Sequence, residues 1–80
     1  MNQNEVLEKV TEIIRDVFDD ETIEISRDTV AKDVEGWDSL NHLQLMNEIE
    51  DEFEIKFTMG EVQGFSNVGE LIDSIMAHIS

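Results

Sequence analysis

Ser39 is the residue of this sequence whose type and position most clearly suggest chemistry, because it stands where a helix is predicted to begin, directly after Asp38. An Asp here caps a helix through its side-chain oxygen, which makes Ser39 the first helical residue. The hydroxyl then lies beside free backbone N–H groups and the positive end of the helix dipole, where an attached phosphate is stabilised. The alternative is an ordinary serine in the first turn of a helix.

His42 lies one helical turn after Ser39, so the two could form a nucleophile and its base. The sequence offers neither a clear orienting acid nor an oxyanion site, which argues against a hydrolase. His78 is interpreted as a surface residue near the end of the last helix, where it compensates the dipole. No acidic segment follows the spacing of a calcium-binding loop, so no metal site is expected.

The charge of the chain excludes several classes of partner. Twenty Asp and Glu residues against five Lys and Arg residues give a net charge of −15, which disfavours binding to nucleic acids or anionic membranes. No Lys or Arg occurs between Lys32 and Lys56, while acidic residues are frequent there. This segment either binds basic proteins or is simply a solvated acidic surface.

The chain of 80 residues has room for one small domain, predicted over residues 1–80. No apolar run approaches the roughly 20 residues of a membrane span, and residues 1–5 do not resemble a signal peptide. The sequence contains no cysteine, so it has neither a disulfide nor a thiol of its own. A monomeric, cytoplasmic protein is expected.

Two long helices are predicted in the first two thirds of the chain. Apolar residues from Val6 to Phe18 recur at helical spacing and predict a helix over about residues 4–18. Residues 19–37 are rich in turn formers and predict a long loop held by scattered apolar side chains. The second helix is predicted from Ser39 to about Phe53, with its apolar stripe at Leu40, Leu43, Leu45, Met46, Ile49 and Phe53.

Two further helices complete the predicted fold. Thr58 followed by Glu61 is a capping-box pattern, which predicts a short helix near residues 59–64. Ser66 or Asn67 is predicted to cap the last helix, whose apolar stripe runs from Val68 to Ile79. The fold class is therefore all-α, a small four-helix bundle of three long helices and one short helix, with a long loop between the first two helices.

With these elements in place, the sequence resembles the acyl carrier protein family, the small carriers of fatty-acid and related biosynthesis. The motif Asp38-Ser39-Leu40, preceded by Gly36, is similar to the family's phosphopantetheine-attachment motif. The similarity extends over essentially the whole chain through Leu43, Leu45, Ile49, the run Glu50-Asp51-Glu52-Phe53, Ile55, Phe57, the run Ser66-Asn67-Val68, Leu71 and Ile75.

The resemblance implies a covalent cofactor. Ser39 would be joined through a phosphodiester to a 4′-phosphopantetheine arm by a phosphopantetheinyl transferase, with Asp38 and Leu40 as the flanking motif residues. The arm would carry an acyl or similar group as a thioester, and the chain itself would catalyse no reaction. Its partners would be the transferase and the enzymes that load, condense and tailor the cargo.

The resemblance also implies two surfaces. Family partners present basic patches to the second helix, so the expected docking residues are Asp38, Leu40, Gln44, Asn47, Glu48 and Asp51. An apolar groove between the second helix and the short helix would shelter part of the cargo. Its expected wall is Leu43, Met46, Val62 and Phe65, each of which could equally be ordinary core packing.

Three positions depart from the commonest family pattern, namely Trp37, Glu54 where glycine is frequent, and Thr58 where proline is frequent. A carrier dedicated to a polyketide, peptide or surface-polymer pathway is therefore an alternative to a fatty-acid carrier. A peptidyl or aminoacyl carrier domain, or an unmodified acidic adaptor that binds basic proteins, are further alternatives.

Overall fold

Four α-helices build the protein in the computed structural model, which describes residues 2–79. The predicted all-α bundle of three long helices and one short helix is confirmed. The helices are α1 (Gln3–Val17), α2 (Ser39–Phe53), α3 (Met59–Gly64) and α4 (Val68–Ile79), and a single 3₁₀ turn (Ala31–Asp33) lies in the connection between α1 and α2. None of the helices in this described part has the length and apolar character needed to cross a bilayer.

The core lies where α1 packs against α2 and α4. Each of these three helices contributes apolar side chains at steps of three and four residues, so each buries one stripe. The buried core residues are Val6, Val10 and Ile14 of α1, Leu45, Met46 and Ile49 of α2, and Val68, Leu71, Ile72 and Ile75 of α4. The short α3 lies at the edge of this core: Val62 is half-buried and packs against it, and none of the described residues 59–64 is fully buried.

The apolar stripe predicted for α2 is buried only in its later part. Leu40 and Leu43 are 73% and 54% exposed, and the buried residues of the helix begin at Leu45. Two polar residues that fall within the apolar arc are half-buried and hydrogen-bonded. The Phe57 N–H donates to Oε2 of Glu50 at 2.7 Å, and both ring nitrogens of His42 have partners within hydrogen-bond distance. Polar groups inside the arc are tolerated because they have these partners.

The loop between α1 and α2 is attached to the start of α4 by its backbone. The Val68 N–H donates to the carbonyl of Thr29 at 2.9 Å, and the Gly69 N–H donates to the carbonyl of Arg27 at 2.8 Å. These are N–H groups that the first turn of a helix leaves without intrahelical partners. Gly69 is buried beneath the loop, so the approach of the two segments depends on a residue with no side chain.

Side chains fasten the same loop at two further points. The Arg15 Nε–H of α1 donates to the carbonyl of Ile23 at 2.7 Å. Arg27 donates to Oε1 of Gln3 at 3.2 Å and to Oδ2 of Asp73 at 2.9 Å, joining both end helices. The ion pair raises the pKa of Arg27 and lowers that of Asp73, mainly through this hydrogen bond. The loop is thus held by polar contacts as well as by the predicted apolar ones.

Helix α3 is held by its capping box and by Glu61. As predicted, the Thr58 Oγ1 accepts from the Glu61 N–H, and the Glu61 carboxylate accepts from the Thr58 N–H at 3.0 Å. The other carboxylate oxygen accepts from Ser74 Oγ at 2.7 Å and lies 2.9 Å from Nε2 of His78. His78 therefore joins α4 to α3, beyond the surface role predicted for it. These hydrogen bonds lower the pKa of Glu61 to about 2, and the bond from Ser74 has the largest effect.

Acid is expected to remove the stabilisation that Glu61 provides. Because its folded-state pKa lies below the ordinary value of 4.5, the charged carboxylate stabilises the fold above that value, and the contribution declines as the pH falls towards about 2. Glu61→Gln should therefore unfold more easily than the wild type near pH 7, and the difference should shrink between about pH 4.5 and about pH 2. Urea unfolding of both proteins at a series of pH values measures this difference in the free energy of unfolding. Glu24→Gln, an exposed loop variant, is the control, and an unchanged difference at low pH would contradict the role of the Glu61 charge.

The end of α2 has a strained backbone. Glu54 has φ 55° and ψ 48°, in the left-handed region, which costs a residue with a side chain about 1–2 kcal/mol relative to glycine. Glu54→Gly should stabilise the protein by about 0.5–1 kcal/mol after the added flexibility of the unfolded chain is subtracted. Thermal unfolding measures the gain. Asp19→Gly, also at positive φ (54°), should gain less stability because Asp tolerates this region better than Glu. A loss of stability in Glu54→Gly would contradict the conclusion that Glu54 has a strained backbone.

Candidate functional site

A tight turn fixes the start of α2. Gly36 has φ 91°, a conformation that favours glycine. Its carbonyl accepts from the Asp38 N–H at 3.0 Å and from the side-chain amide of Asn41 at 2.6 Å. Asn41 thereby ties the first turn of the helix back to the preceding loop, and the orientation of residues 37–39 is set by contacts on both sides.

Asp38 caps the helix as predicted. Its Oδ1 accepts from the Asn41 N–H at 2.8 Å, and its carbonyl accepts from the His42 N–H at 2.8 Å. Ser39 is consequently the first helical residue, and it is exposed. Ser39 therefore lies at the surface at a helix N-terminus, where the N–H groups and the dipole favour a negatively charged group.

An open groove of about 630 Å³ lies beside Ser39. We call it the outer groove. It runs between the start of α2, the 3₁₀ turn and α3, and its lining combines apolar and polar side chains: Ala31, Trp37, Asp38, Ser39, His42, Leu43, Val62 and Gln63. A group attached to Ser39 could thus lie against the protein without any rearrangement of the core.

Trp37 and His42 form one side of the outer groove. The Trp37 Nε1–H donates to Nδ1 of His42 at 3.0 Å, and the two rings are stacked with their centroids 6.1 Å apart. Nε2 of His42 lies 2.8 Å from the carbonyl of Val62. With Nδ1 accepting, Nε2 must carry the proton and donate to this carbonyl. Both ring nitrogens are therefore engaged, which leaves none to act as a base for Ser39.

The residues predicted for partner docking are all exposed. Gln44, Asn47, Glu48 and Asp51 follow one another at steps of three, one and three residues and share one face of α2. Leu40, four residues before Gln44, extends this face towards Ser39, and Asp38 lies at its end. At about 1.5 Å per residue, the face extends roughly 18 Å from Ser39 to Asp51.

Carboxylates also line a shallow groove between α1 and α2. Glu48, Asp51 and Glu52 of α2 lie opposite Glu12 and Asp16 of α1 across this groove. Lys9 lies 3.2 Å from Glu52 in an exposed ion pair, which neutralises one of these charges. In the described part of the chain, no three His, Asp or Glu side chains are grouped so that they could hold a metal ion.

The four residues predicted for the cargo groove lie at three different depths. Leu43 and Val62 line the outer groove. Phe65 lines a smaller cavity of about 70 Å³ and contacts Phe57 edge to face at 5.7 Å. Met46 is only 2% exposed and belongs to the core. The outer groove thus contains two of the four, together with Trp37 and His42, which were not predicted to line it.

Sequence reasoning missed Asn41 and the pairing of Trp37 with His42. Asn41 follows Asp38 by three residues, a spacing at which side chains meet on a helix, but its partner is the carbonyl of Gly36, and backbone groups leave no pattern in a sequence. The signal for the pair was the position of His42 within an apolar arc. Such a residue indicates a buried partner without identifying it.

Comparisons with known proteins indicate one family. The family described as phosphopantetheine attachment site matches residues 8–75. An acyl carrier protein of Clostridium acetobutylicum is 36% identical over 73 residues, which are 91% of this chain and 95% of that protein. The solution structure of a holo acyl carrier protein from Geobacter metallireducens is 42% identical, with a TM-score of 0.86, and covers 92% of this chain and 85% of its own.

Proposed function

The chain belongs to the acyl carrier protein family and has an acyl carrier role that depends on phosphopantetheine, and from this premise we propose that Ser39 is the attachment residue. The observation that carries the proposal is the exposure of Ser39 as the first residue of α2. A transferase can reach this residue directly, since no part of the bundle has to open first. The resulting phosphodiester would be stabilised by the helix N-terminus.

The residues around Ser39 fit such an arm. Asp38 holds the helix start through the Asn41 N–H, so the N-terminal end of α2 keeps its geometry when Ser39 is modified. The outer groove begins at Ser39 and offers Leu43 and Val62 as apolar contacts. The arm supplies a thiol that carries the acyl group as a thioester, and because the chain has no cysteine, no other thiol competes for the cargo.

The chain's own contribution is positioning rather than catalysis. A tethered acyl group reaches a high effective concentration at the active site of each partner enzyme. His42 is held by Trp37 and by the Val62 carbonyl, so it does not activate a nucleophile. We therefore assign bond-making and bond-breaking steps to the partner enzymes that load, condense and tailor the cargo.

The docking face is the exposed stripe of α2 together with Asp38 at its start. It consists of Asp38, Gln44, Glu48 and Asp51, with Leu40 and Asn47 beside them. Exposed ion pairs contribute about 0–1 kcal/mol each, so docking on this face is fast, weak and sensitive to salt. These properties suit a carrier that must leave each partner after one reaction. A basic patch is the expected counterpart on each partner.

Reversal of one docking charge should slow loading. Glu48→Lys or Asp51→Lys replaces an attraction by a repulsion, which is expected to lower kcat/KM of the phosphopantetheinyl transferase by about tenfold at low salt. The loss should be smaller at high salt, because exposed charges are screened. The measurement is the initial rate of arm transfer as a function of carrier concentration.

The control for this prediction is Glu24→Lys, which makes the same charge change at an exposed position outside α2. Its rate should stay close to that of the wild type, because its charge lies off the docking face. If Glu24→Lys slows transfer as much as Glu48→Lys, net charge rather than a specific face controls docking, and the assignment of Glu48 and Asp51 is wrong.

We propose residues 1–80 as a single, monomeric, cytoplasmic carrier domain. The cargo would contact Leu43 and Val62 first, with Phe65 deeper and Met46 beneath in the core. Fatty-acid, polyketide and peptide pathways all use the same attachment chemistry, and the described residues around Ser39 are compatible with each of them.

The test of the attachment residue is intact mass. The wild-type chain is incubated with coenzyme A, magnesium and a promiscuous phosphopantetheinyl transferase, and it should gain the mass of one phosphopantetheine. Fragmentation of the product should place the added mass on Ser39. Addition at another residue would overturn the assignment of Ser39, and no addition at all would favour the unmodified acidic adaptor.

A further inference from the structure

The residues that lead into Ser39 are held by little packing. Glu35, Gly36 and Asp38 are exposed, and Trp37 is half-buried. Gly36 adopts φ 91°, and apart from its chain neighbours an added Cβ there would have no atom of the described residues 2–79 within 4 Å. A glycine in open space can adopt many backbone conformations. Packing alone therefore does not fix the path of the chain before Ser39.

Two side-chain hydrogen bonds fix this path instead. The side-chain amide of Asn41 donates to the Gly36 carbonyl at 2.6 Å, and the Trp37 Nε1–H donates to Nδ1 of His42 at 3.0 Å. We call these bonds the two ties. Each joins the first turn of α2 to a residue that precedes its cap. The Gly36 carbonyl also accepts from the Asp38 N–H at 3.0 Å, so a side chain and the backbone hold the same oxygen.

The tie between Trp37 and His42 is itself anchored to the rest of the fold. The Trp37 ring contacts Phe18 at the end of α1 edge to face, with ring centroids 5.6 Å apart. Nε2 of His42 lies 2.8 Å from the Val62 carbonyl of α3. Through this tie, the residue two positions before Ser39 is connected to α1 and α3 as well as to α2.

We propose that Asn41 and Trp37 are positioning residues for arm transfer, because through the two ties they present Ser39 to the transferase in a preformed segment. The inference rests on the proposed attachment at Ser39. In that reaction the Ser39 oxygen bonds to the phosphorus that bears the pantetheine and the pyrophosphate bond of coenzyme A breaks. The adenosine bisphosphate leaves, and a base of the transferase takes the serine proton. Asn41 and Trp37 take no part in these steps.

A preformed segment matters because the transferase has to align the Ser39 oxygen with the phosphorus that it attacks. If the segment is ordered before binding, less chain entropy is lost when the complex forms. Without a tie, only a fraction of the carrier molecules has the competent conformation, and the apparent affinity falls by that fraction. Loss of one hydrogen bond changes such a population by about two- to tenfold.

The first test measures KM and kcat of a phosphopantetheinyl transferase for the full-length carrier. Asn41→Ala should raise KM by about two- to tenfold and leave kcat unchanged, because the bound segment is ordered in both proteins. The midpoint of thermal unfolding should stay close to that of the wild type, since the higher helix propensity of alanine offsets the lost bond. Asn4→Ala, at an exposed asparagine of α1, is the control and should keep the wild-type KM.

Trp37→Phe tests the second tie and keeps the inference testable if Asn41→Ala does not fold. Phenylalanine retains an aromatic ring but lacks the N–H that donates to His42, so KM should again rise by about two- to tenfold. Relative to the wild type, the rise should be equal at low and high salt, because both ties join uncharged groups. The loss expected for Glu48→Lys shrinks at high salt, so salt separates positioning from docking.

The outcomes distinguish this inference from the proposed function. A wild-type carrier that gains no arm on Ser39, as seen by mass, overturns both. If Ser39 is modified but the folded variants keep the wild-type KM, the inference alone is wrong. A fall in kcat at unchanged KM also overturns it, because the altered residue would then act in the bond-making step. A rise in KM that disappears at high salt assigns the effect to docking charges and overturns it as well.

Discussion

Ser39→Ala is expected to abolish addition of phosphopantetheine while leaving the fold intact. The variant lacks the oxygen that would form the phosphodiester, so its mass should stay that of the unmodified chain after incubation with coenzyme A and the transferase. Retention of the mass gain in this variant would contradict the attachment site.

The fold should survive because Ser39 is not the residue that caps the helix. The cap is the Asp38 carboxylate on the Asn41 N–H, and alanine is the strongest helix former at the first helical position that it would occupy. The free energy of unfolding should change by no more than about 0.5 kcal/mol. Thermal unfolding checks this, so a loss of modification cannot be attributed to a loss of structure.

Ser66→Ala is the matched control for the modification. Ser66 is an exposed serine that shortly precedes a helix, as Ser39 is an exposed serine at the start of one. Replacement of Ser66 should leave the mass gain unchanged, because the arm is attached at Ser39. It should also leave the fold intact, because Asn67 rather than Ser66 accepts the helical N–H of Glu70 at 2.9 Å. If Ser66→Ala loses the modification and Ser39→Ala does not, the arm is attached to Ser66 and the assignment of Ser39 is wrong.

Gly69→Ala is expected to destabilise the protein more than any other substitution of glycine by alanine in its helices. An added Cβ would lie 3.0 Å from the Arg27 carbonyl oxygen, 3.2 Å from Oδ1 of Asn67 and 3.3 Å from Cβ of Arg27. The first contact is with backbone, so the loop must move away from α4 and weaken the hydrogen bond from the Gly69 N–H. Overpacking costs about 1–3 kcal/mol, against a gain of about 1 kcal/mol in helix propensity.

The net loss should be up to about 2 kcal/mol, which lowers Tm by about 4–8 °C for each kcal/mol in a domain of this size. Gly60→Ala provides the contrast. It also lies within a helix, but an added Cβ would meet only Oγ1 of Thr58, at 3.9 Å, so the propensity gain should raise Tm. A rise of Tm in Gly69→Ala comparable to that in Gly60→Ala would mean that the loop can move without cost.

Helix boundaries were predictable because the residues that set them act locally. Asn2 caps α1, Asp38 caps α2 and Thr58 caps α3, each through a hydrogen bond spanning three residues. Such contacts are visible as short patterns in a sequence. The position of Ser39 at the start of α2, on which the candidate site depends, therefore follows from the order of the residues alone.

Burial along α2 was less predictable. An apolar stripe identifies one face of a helix, but it does not tell how far the neighbouring helices extend along that face. Leu40 and Leu43 continue the stripe of Leu45 and Ile49, yet only the later part of the stripe is buried, and the first two residues remain exposed. The groove at Ser39 exists because the packing stops there, which is a property of the assembled bundle.

Contacts between distant segments could not be predicted at all. Glu50 accepts from the Phe57 N–H, and Gly69 is pressed against Arg27. In both cases one partner is a backbone group, which every residue possesses. Glu50 stands out because it falls within the apolar arc of α2, which does not tell what it contacts, and nothing in the sequence analysis singled out Gly69.

The absence of any buried side chain among the described residues 59–64 has a dynamic consequence. Segments with few buried apolar contacts open locally at a lower free energy than the whole molecule. The amide hydrogens of α3 should therefore exchange with deuterium well before those of α1, α2 and α4. Helix α3, which forms one side of the outer groove beside Ser39, can therefore unfold and refold while the other three helices stay folded. A departing cargo then needs no global unfolding.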